Sequence, residues 1–307
     1  MSISRRDLFR AAAASAAAFV LPQALRASPS VTLSHLLDES DEARLARWVR
    51  TIRAEGLAAR GADLGRAVAR AGELALGSPY APGTLDEYAK AGGDPAHEPL
   101  AATLARFDCV TLVESCLGVA RVAHAPGAPA WAAFERELER MRYRGGARDG
   151  YPSRLHYFSE WIADGDRRGL VRDLGRELGG ARDPRPLRFM SQHRAAYPAL
   201  RSDAVYAAIV QRERTLDSVP RYVVPTARIA AVAPRIRSGD VLAFATSLPG
   251  LDATHTGLAY RDGHGVLRAL HAPLSGGEVQ VSRRPLHEYV AGLRNNTGIM
   301  VARPLPG

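Results

Sequence analysis

Two cysteines stand seven positions apart in the stretch FDCVTLVESC, residues 107–116, the first directly behind Asp108. Apolar side chains at Cys109, Val113, Cys116, Leu117 and Ala120 recur at helical spacing, one stripe of an α-helix. On such a helix the two Cα atoms lie about 10 Å apart, beyond the ~7 Å that a disulfide spans. A disulfide is therefore excluded. No Cys-x-x-Cys or His-Glu-x-x-His occurs to frame a zinc site. Cys116 falls inside the stripe, where a small buried hydrophobe is expected. Cys109 begins it, and there the unpaired N–H groups and the positive end of the helix dipole favour a thiolate with a lowered pKa. Two readings stay open for Cys109: a core cysteine, or a nucleophile.

A nucleophilic thiol needs a base held by a third group. Of nine histidines, His255 in HTGLAY (255–260) and His271 in VLRALH (266–271) lie on two β-rich runs joined by a Gly-rich loop. Pairing Tyr260 with Val266 across five loop residues puts His255 opposite His271. Directly opposed side chains share a face with Cβ atoms ~5 Å apart, so one imidazole can orient the other. A slip of one residue would separate them onto opposite faces. A pair of exposed or core histidines is the alternative.

Several elements must carry these residues. Ser40 to Leu76, Phe107 to Ala123 and Ala130 to Tyr143 show helical spacing, and Arg148 to Arg214 reads as helical and arginine-rich, broken at Gly179-Gly180 and Pro184 to Pro186. From about Tyr222 the period changes. Val241 to Thr246, His255 to Tyr260, Val266 to His271, Glu278 to Val281 and Gly298 to Val301 are short strands of an antiparallel sheet. Helices first and strands later predict an α+β fold.

The N-terminus carries Arg5-Arg6, then an apolar run from Ala11 to Leu21 and a small-residue exit before Ser28. This predicts a twin-arginine export signal over residues 1–27 and a mature domain over 28–307, periplasmic or secreted. The run is shorter than the ~20 residues a membrane span needs. Of 41 basic residues only Lys90 is a lysine, and the arginines behind the net charge of +9 are dispersed along the chain. No aromatic-basic module marks nucleic acid as a partner. An anionic polymer such as cell wall suits a basic exported protein.

At this point the residues resemble the NlpC-type papain-like cell-wall hydrolases, and within them the N-acetylmuramoyl-L-alanine amidase branch. The resemblance is carried by 77–86 (GSPYAPGTLD), Asp108-Cys109 with Thr111 and Glu114, Gly239-Asp240, Thr254-His255-Thr256-Gly257 and Leu270-His271-Ala272-Pro273. It implies a papain-like fold with the nucleophile at a helix start packed on the sheet. It also implies Cys109 as nucleophile, His255 as base and His271 as its orienting partner, without metal or organic cofactor. The Cys109 N–H and the Tyr80 hydroxyl are the expected oxyanion donors. Asp108 is expected to cap its helix. Glu114 and Thr254 are candidates for substrate contact, Glu114 with a loop hydrogen bond as the alternative.

Where peptide-cleaving members carry Asp-Cys-Ser-Gly, this chain has Val110-Thr111. That turns the expectation toward the amide between N-acetylmuramic acid and L-alanine in peptidoglycan or muropeptides. A stem-peptide endopeptidase or a noncatalytic wall-binding protein are the alternatives. Thr256 replaces the usual valine, a swap of similar shape expected to matter little. Arg154, Tyr157 and Trp161 in SRLHYFSEWI fall on one helical face that would suit a sugar and a carboxylate, or else pack inward. A monomer is expected.

Overall fold

The computed structural model describes residues 39–306; the expected export signal lies outside them. Helix α1 (Asp41–Ala54) starts where Ser40 accepts from the Ala43 N–H and buries Leu45, Trp48, Val49 and Ile52. Next come α2 (Leu64–Leu74), α3 (Cys109–His124), α4 (Trp131–Arg142), α5 (Phe158–Arg167), α6 (Asp203–Leu216) and the short α7 (Leu286–Ala291). Eight strands form one antiparallel sheet: β1 (Val171–Asp173), β2 (Ala181–Arg182), β3 (Tyr222–Pro225), β4 (Val241–Thr246), β5 (Ala253–Arg261), β6 (Leu267–His271), β7 (Gln280–Val281) and β8 (Asn296–Pro304). Their order is β2-β3-β8-β4-β5-β6-β7, with β1 also paired to β8. An α+β architecture with an antiparallel sheet is thus present. The β1 and β2 segments lie within a region whose sequence reads as helical. They are only three and two residues long and form by pairing with β8 and β3.

Both faces of the sheet are covered. On one, Val241, Ala243, Leu258, Leu270 and Met300 pack under α1, α2 and α3. On the other, Leu242, Phe244, Ala269, Ile299 and Val301 meet Ile229, Val232, Leu286 and Val290. That is why β4, VLAFAT, is buried throughout and apolar up to its last residue, Thr246. Helix α3 is enclosed by α1, α2, α4 and β5, and it is buried from Thr111 to Ala123 instead of along a single stripe.

The Gly-Asp motif before β4 is a structural joint. Gly239 has φ +86°, and a Cβ there would stand 1.9 Å from the Gly65 carbonyl oxygen at the start of α2. Asp240, 1% exposed, accepts from the Arg237 N–H at 2.8 Å and from Arg303 at 2.7 and 2.9 Å. The joint seats α2 against the first residue of β4.

The β5–β6 register differs from the expected one. Arg261 pairs with Leu267 and Leu258 with Leu270, so the five-residue loop is 262–266. Asp262 sets this length, because its side chain accepts from the N–H groups of His264 and Val266, both at 3.0 Å. The ladder is shifted by two residues, which preserves the face of every side chain. His271 therefore lies beside Gly257 and diagonal to His255.

Candidate active site

Asp108 caps α3. Its carboxylate accepts from the N–H groups of Val110 (3.1 Å) and Thr111 (2.8 Å), while the Thr111 hydroxyl accepts from the Asp108 N–H at 2.8 Å. This reciprocal box leaves Cys109 as the first helical residue. Cys109 is half-buried, whereas Cys116 is buried completely, and both are free thiols. Burial pushes the Cys109 thiol up to about 12, the Asp108 carboxylate adds to the rise, and the N–H and hydroxyl of Thr256 oppose it. The expectation of a depressed thiol pKa at the helix start is thus reversed, because desolvation and the adjacent carboxylate outweigh the dipole.

Tyr80 reaches the same place from a separate segment. The chain at 79–81 pairs with Phe107, Ala81 N–H donating to the Phe107 oxygen at 2.8 Å and Phe107 N–H to the Pro79 oxygen at 3.0 Å. Burial, with Cys109 and Asp108 nearby, raises the Tyr80 pKa, so its hydroxyl keeps its proton.

His255 begins the regular part of β5. Phe244 pairs with His255 but Ala245 pairs with Ala253, so Thr254 is an exposed bulge residue immediately before the imidazole. Bulges re-aim the side chains that follow them. The ring lies on Phe244, its cross-strand neighbour, with centroids 5.3 Å apart. His255 Nε2 and His271 Nδ1 stand 2.8 Å apart. The Tyr289 hydroxyl, on α7, is 3.5 Å from the same His271 nitrogen. Burial drives both imidazole pKa values down, His271 to about 4. Both rings are neutral at pH 7.

Gly257 makes this pair possible. A Cβ on it would meet the Leu270 oxygen at 2.8 Å and the His271 Cβ at 2.9 Å. The missing side chain is the space through which His271 reaches diagonally to His255.

Thr256 points to the opposite side and touches the start of α3. Its hydroxyl, on a residue 3% exposed, donates to the Cys109 carbonyl oxygen at 2.8 Å. The hydroxyl is the difference from valine, so the swap expected to be inconsequential makes a specific bond between β5 and α3. Among the described residues the Cys109 sulfur makes no hydrogen bond to either imidazole; Cys109 is joined to that strand through its carbonyl oxygen, which accepts from Thr256, next to His255.

Of the substrate candidates, Glu114, Arg154, Tyr157 and Trp161 are turned inward, whereas Thr254 is exposed. Glu114, 1% exposed, is bound by Arg142 Nε at 2.7 Å. Arg154 is buried and held by Asp86 at 2.6 Å, by the Leu85 oxygen at 2.9 Å and near Glu98 at 3.4 Å. Tyr157 donates to buried Glu213 at 2.7 Å, and Trp161 is buried against Phe158. Helix α5 begins only at Phe158, so Arg154, Tyr157 and Trp161 share no exposed helical face. Tyr157 closes on a third apolar cluster around Tyr151, Leu187, Phe189 and Leu200, while Phe158 and Trp161 join the main core. Among the described residues no group of three His, Cys, Asp or Glu side chains is placed to hold a metal ion. No described helix is long and apolar enough to cross a membrane.

Residues 70–299 match the family described as AmiA-like, N-acetylmuramoyl-L-alanine amidase-like. Among solved structures, an N-acetylmuramoyl-L-alanine amidase from Bacteroides uniformis is 32% identical, with a TM-score of 0.72, covering 79% of this chain and 99% of its own. A Bacteroides fragilis protein provisionally described as a xylanase is 32% identical, with a TM-score of 0.69, covering 76% of this chain and 99% of its own. The pair on β5 and β6 is of two imidazoles, not the carboxylate pair on which glycoside hydrolysis ordinarily relies. A Legionella pneumophila protein, 18% identical with a TM-score of 0.62, covers 86% of this chain and 94% of its own and shares the fold. A search of curated proteins finds no match. With three quarters of its length matched, the chain belongs to the N-acetylmuramoyl-L-alanine amidase-like family.

Proposed function

We propose that this protein is an exported cysteine amidase of the NlpC-type papain-like fold. It hydrolyses the amide between N-acetylmuramic acid and L-alanine in peptidoglycan or its fragments. The observation that carries the reading is the His255–His271 contact of 2.8 Å on the strand that Thr256 fastens to Cys109. The bond specificity rests on the family and on the B. uniformis amidase named above.

In this reading His255 donates its Nε2–H to His271 Nδ1, which leaves the lone pair of His255 on Nδ1. That nitrogen takes the Cys109 proton as the sulfur attacks the lactyl carbonyl of the muramic acid. Because the resting thiol and both imidazoles are uncharged at pH 7, proton transfer accompanies attack instead of preceding it. The developing oxyanion is met by the Cys109 N–H and the Tyr80 hydroxyl. The imidazolium then protonates the departing nitrogen of L-alanine, leaving a thioester. Water, deprotonated by His255, hydrolyses it and regenerates the thiol.

Incubation with defined muropeptides and mass analysis of the products tests the bond cleaved. Release of free peptide with an intact N-terminal L-alanine is the expected result, and a shortened stem peptide on the sugar would make the enzyme an endopeptidase. Cys109→Ala and His255→Ala should each abolish turnover, and the double variant should be no worse than either single. His271→Ala should cost less, His271→Asn should recover part of that loss, and His264→Ala, in the exposed loop, should change little. A fully active Cys109→Ala protein would end the proposal.

A further inference from the structure

The face of β5 turned away from the imidazoles carries Thr256. Along a strand side chains alternate, so the residue after His255 cannot join the histidine pair. It lies instead over the start of α3. Two features of Thr256 bear on Cys109. Its buried hydroxyl donates to the Cys109 carbonyl oxygen at 2.8 Å. Its backbone N–H also opposes the rise that burial imposes on the Cys109 thiol. The other groups that bear on the sulfur are Asp108, which caps the same helix and disfavours negative charge, and Tyr80 from the segment paired with Phe107.

We propose that Thr256 is a positioning residue of the reaction, fastening the peptide of Cys109 to the strand of its base. Its hydroxyl fixes the distance between α3 and β5 at the point where a small displacement separates sulfur from imidazole. A valine would fill the same space and supply no donor. The carbonyl that receives this bond belongs to the residue whose N–H is the expected oxyanion donor, so loosening it frees both functions of Cys109 together. The proposal rests on the assignment of Cys109 as the nucleophile.

The experiment compares Thr256→Val, Thr256→Ser and Thr256→Ala in the full mature chain. Two readouts are taken: peptide-resolved iodoacetamide labelling of Cys109 at pH 8, and kcat and KM on a defined muropeptide. Loss of the bond that holds the Cys109 peptide, with a displacement of the sulfur by part of an ångström, predicts that Thr256→Val slows labelling and lowers kcat by about tenfold or more, with KM little changed. Thr256→Ser should restore most of both, and Thr256→Ala should resemble Thr256→Val. Wild-type labelling and kcat in Thr256→Val would overturn the proposal. So would a Thr256→Ser protein as impaired as Thr256→Ala, because the methyl and not the hydroxyl would then matter. If Thr256→Val fails to fold by circular dichroism, the Ser and Ala pair decides. Labelling is read without substrate, so it stands even if Cys109→Ala retains turnover and the nucleophile assignment falls.

Discussion

Replacing Gly257 by alanine probes the histidine pair from the strand beneath it, without altering any polar group. The new methyl would stand 2.8 Å from the Leu270 oxygen and 2.9 Å from the His271 Cβ. Carbon atoms pack at about 3.5–4.0 Å, so β6 must retreat by at least about 0.6 Å. Gly257 is not among the positive-φ glycines, so backbone strain adds nothing. Neither obstructing atom is the free end of a flexible chain, which leaves the strand itself to move. The 2.8 Å contact between His255 and His271 would then lengthen past the range of a strong hydrogen bond. Overpacking of this kind costs about 1–3 kcal/mol of stability. A base displaced by part of an ångström loses on the order of tenfold to a hundredfold in kcat. Urea unfolding gives the first quantity, and hydrolysis of a defined muropeptide by the folded variant gives the second. A folded Gly257→Ala protein with wild-type kcat would refute the reasoning, since the diagonal reach of His271 would not depend on that space.

Three further outcomes are expected. His271 is held neutral with a folded pKa of about 4 against an ordinary 6.5, so the unfolded chain binds the proton first as pH falls. Stability should be complete above pH 6.5 and decline toward pH 4 by about 3 kcal/mol from this residue, and His271→Asn should flatten that slope in pH-dependent melting. Arg142→Met leaves the Glu114 carboxylate buried and unpaired and should cost about 3–5 kcal/mol, seen as a lower Tm, with Glu114→Leu in the same chain recovering much of it; a rise in KM without loss of Tm would return Glu114 to substrate binding. Arg5→Lys with Arg6→Lys should leave the protein in the cytoplasm, and sequencing of the exported wild type should begin near Ser28; export of the double variant would exclude the twin-arginine route.

What the chain declares by itself is local. Asp108, Cys109 and Thr111 announce a capped helix start because the capping bonds span three residues. The alternation around His255 and His271 puts both on one face, since a period of two survives any even shift of register. The change from helical to strand periodicity near Tyr222 delivers the fold class for the same reason. Tertiary structure decided the rest. The β5–β6 register depends on how the Asp262 side chain closes its loop, and the Thr254 bulge on the pairing of β5 with β4. Arg154, Tyr157 and Glu114 have side chains suited to a substrate face, yet they close on Asp86, Glu98, Glu213 and Arg142 from other parts of the chain. Thr256 stands out in the sequence only as a shape-conserving swap for valine, because a hydroxyl in place of a methyl acquires meaning only from the carbonyl opposite it. That carbonyl is 147 residues away in sequence, and only packing brings α3 to β5.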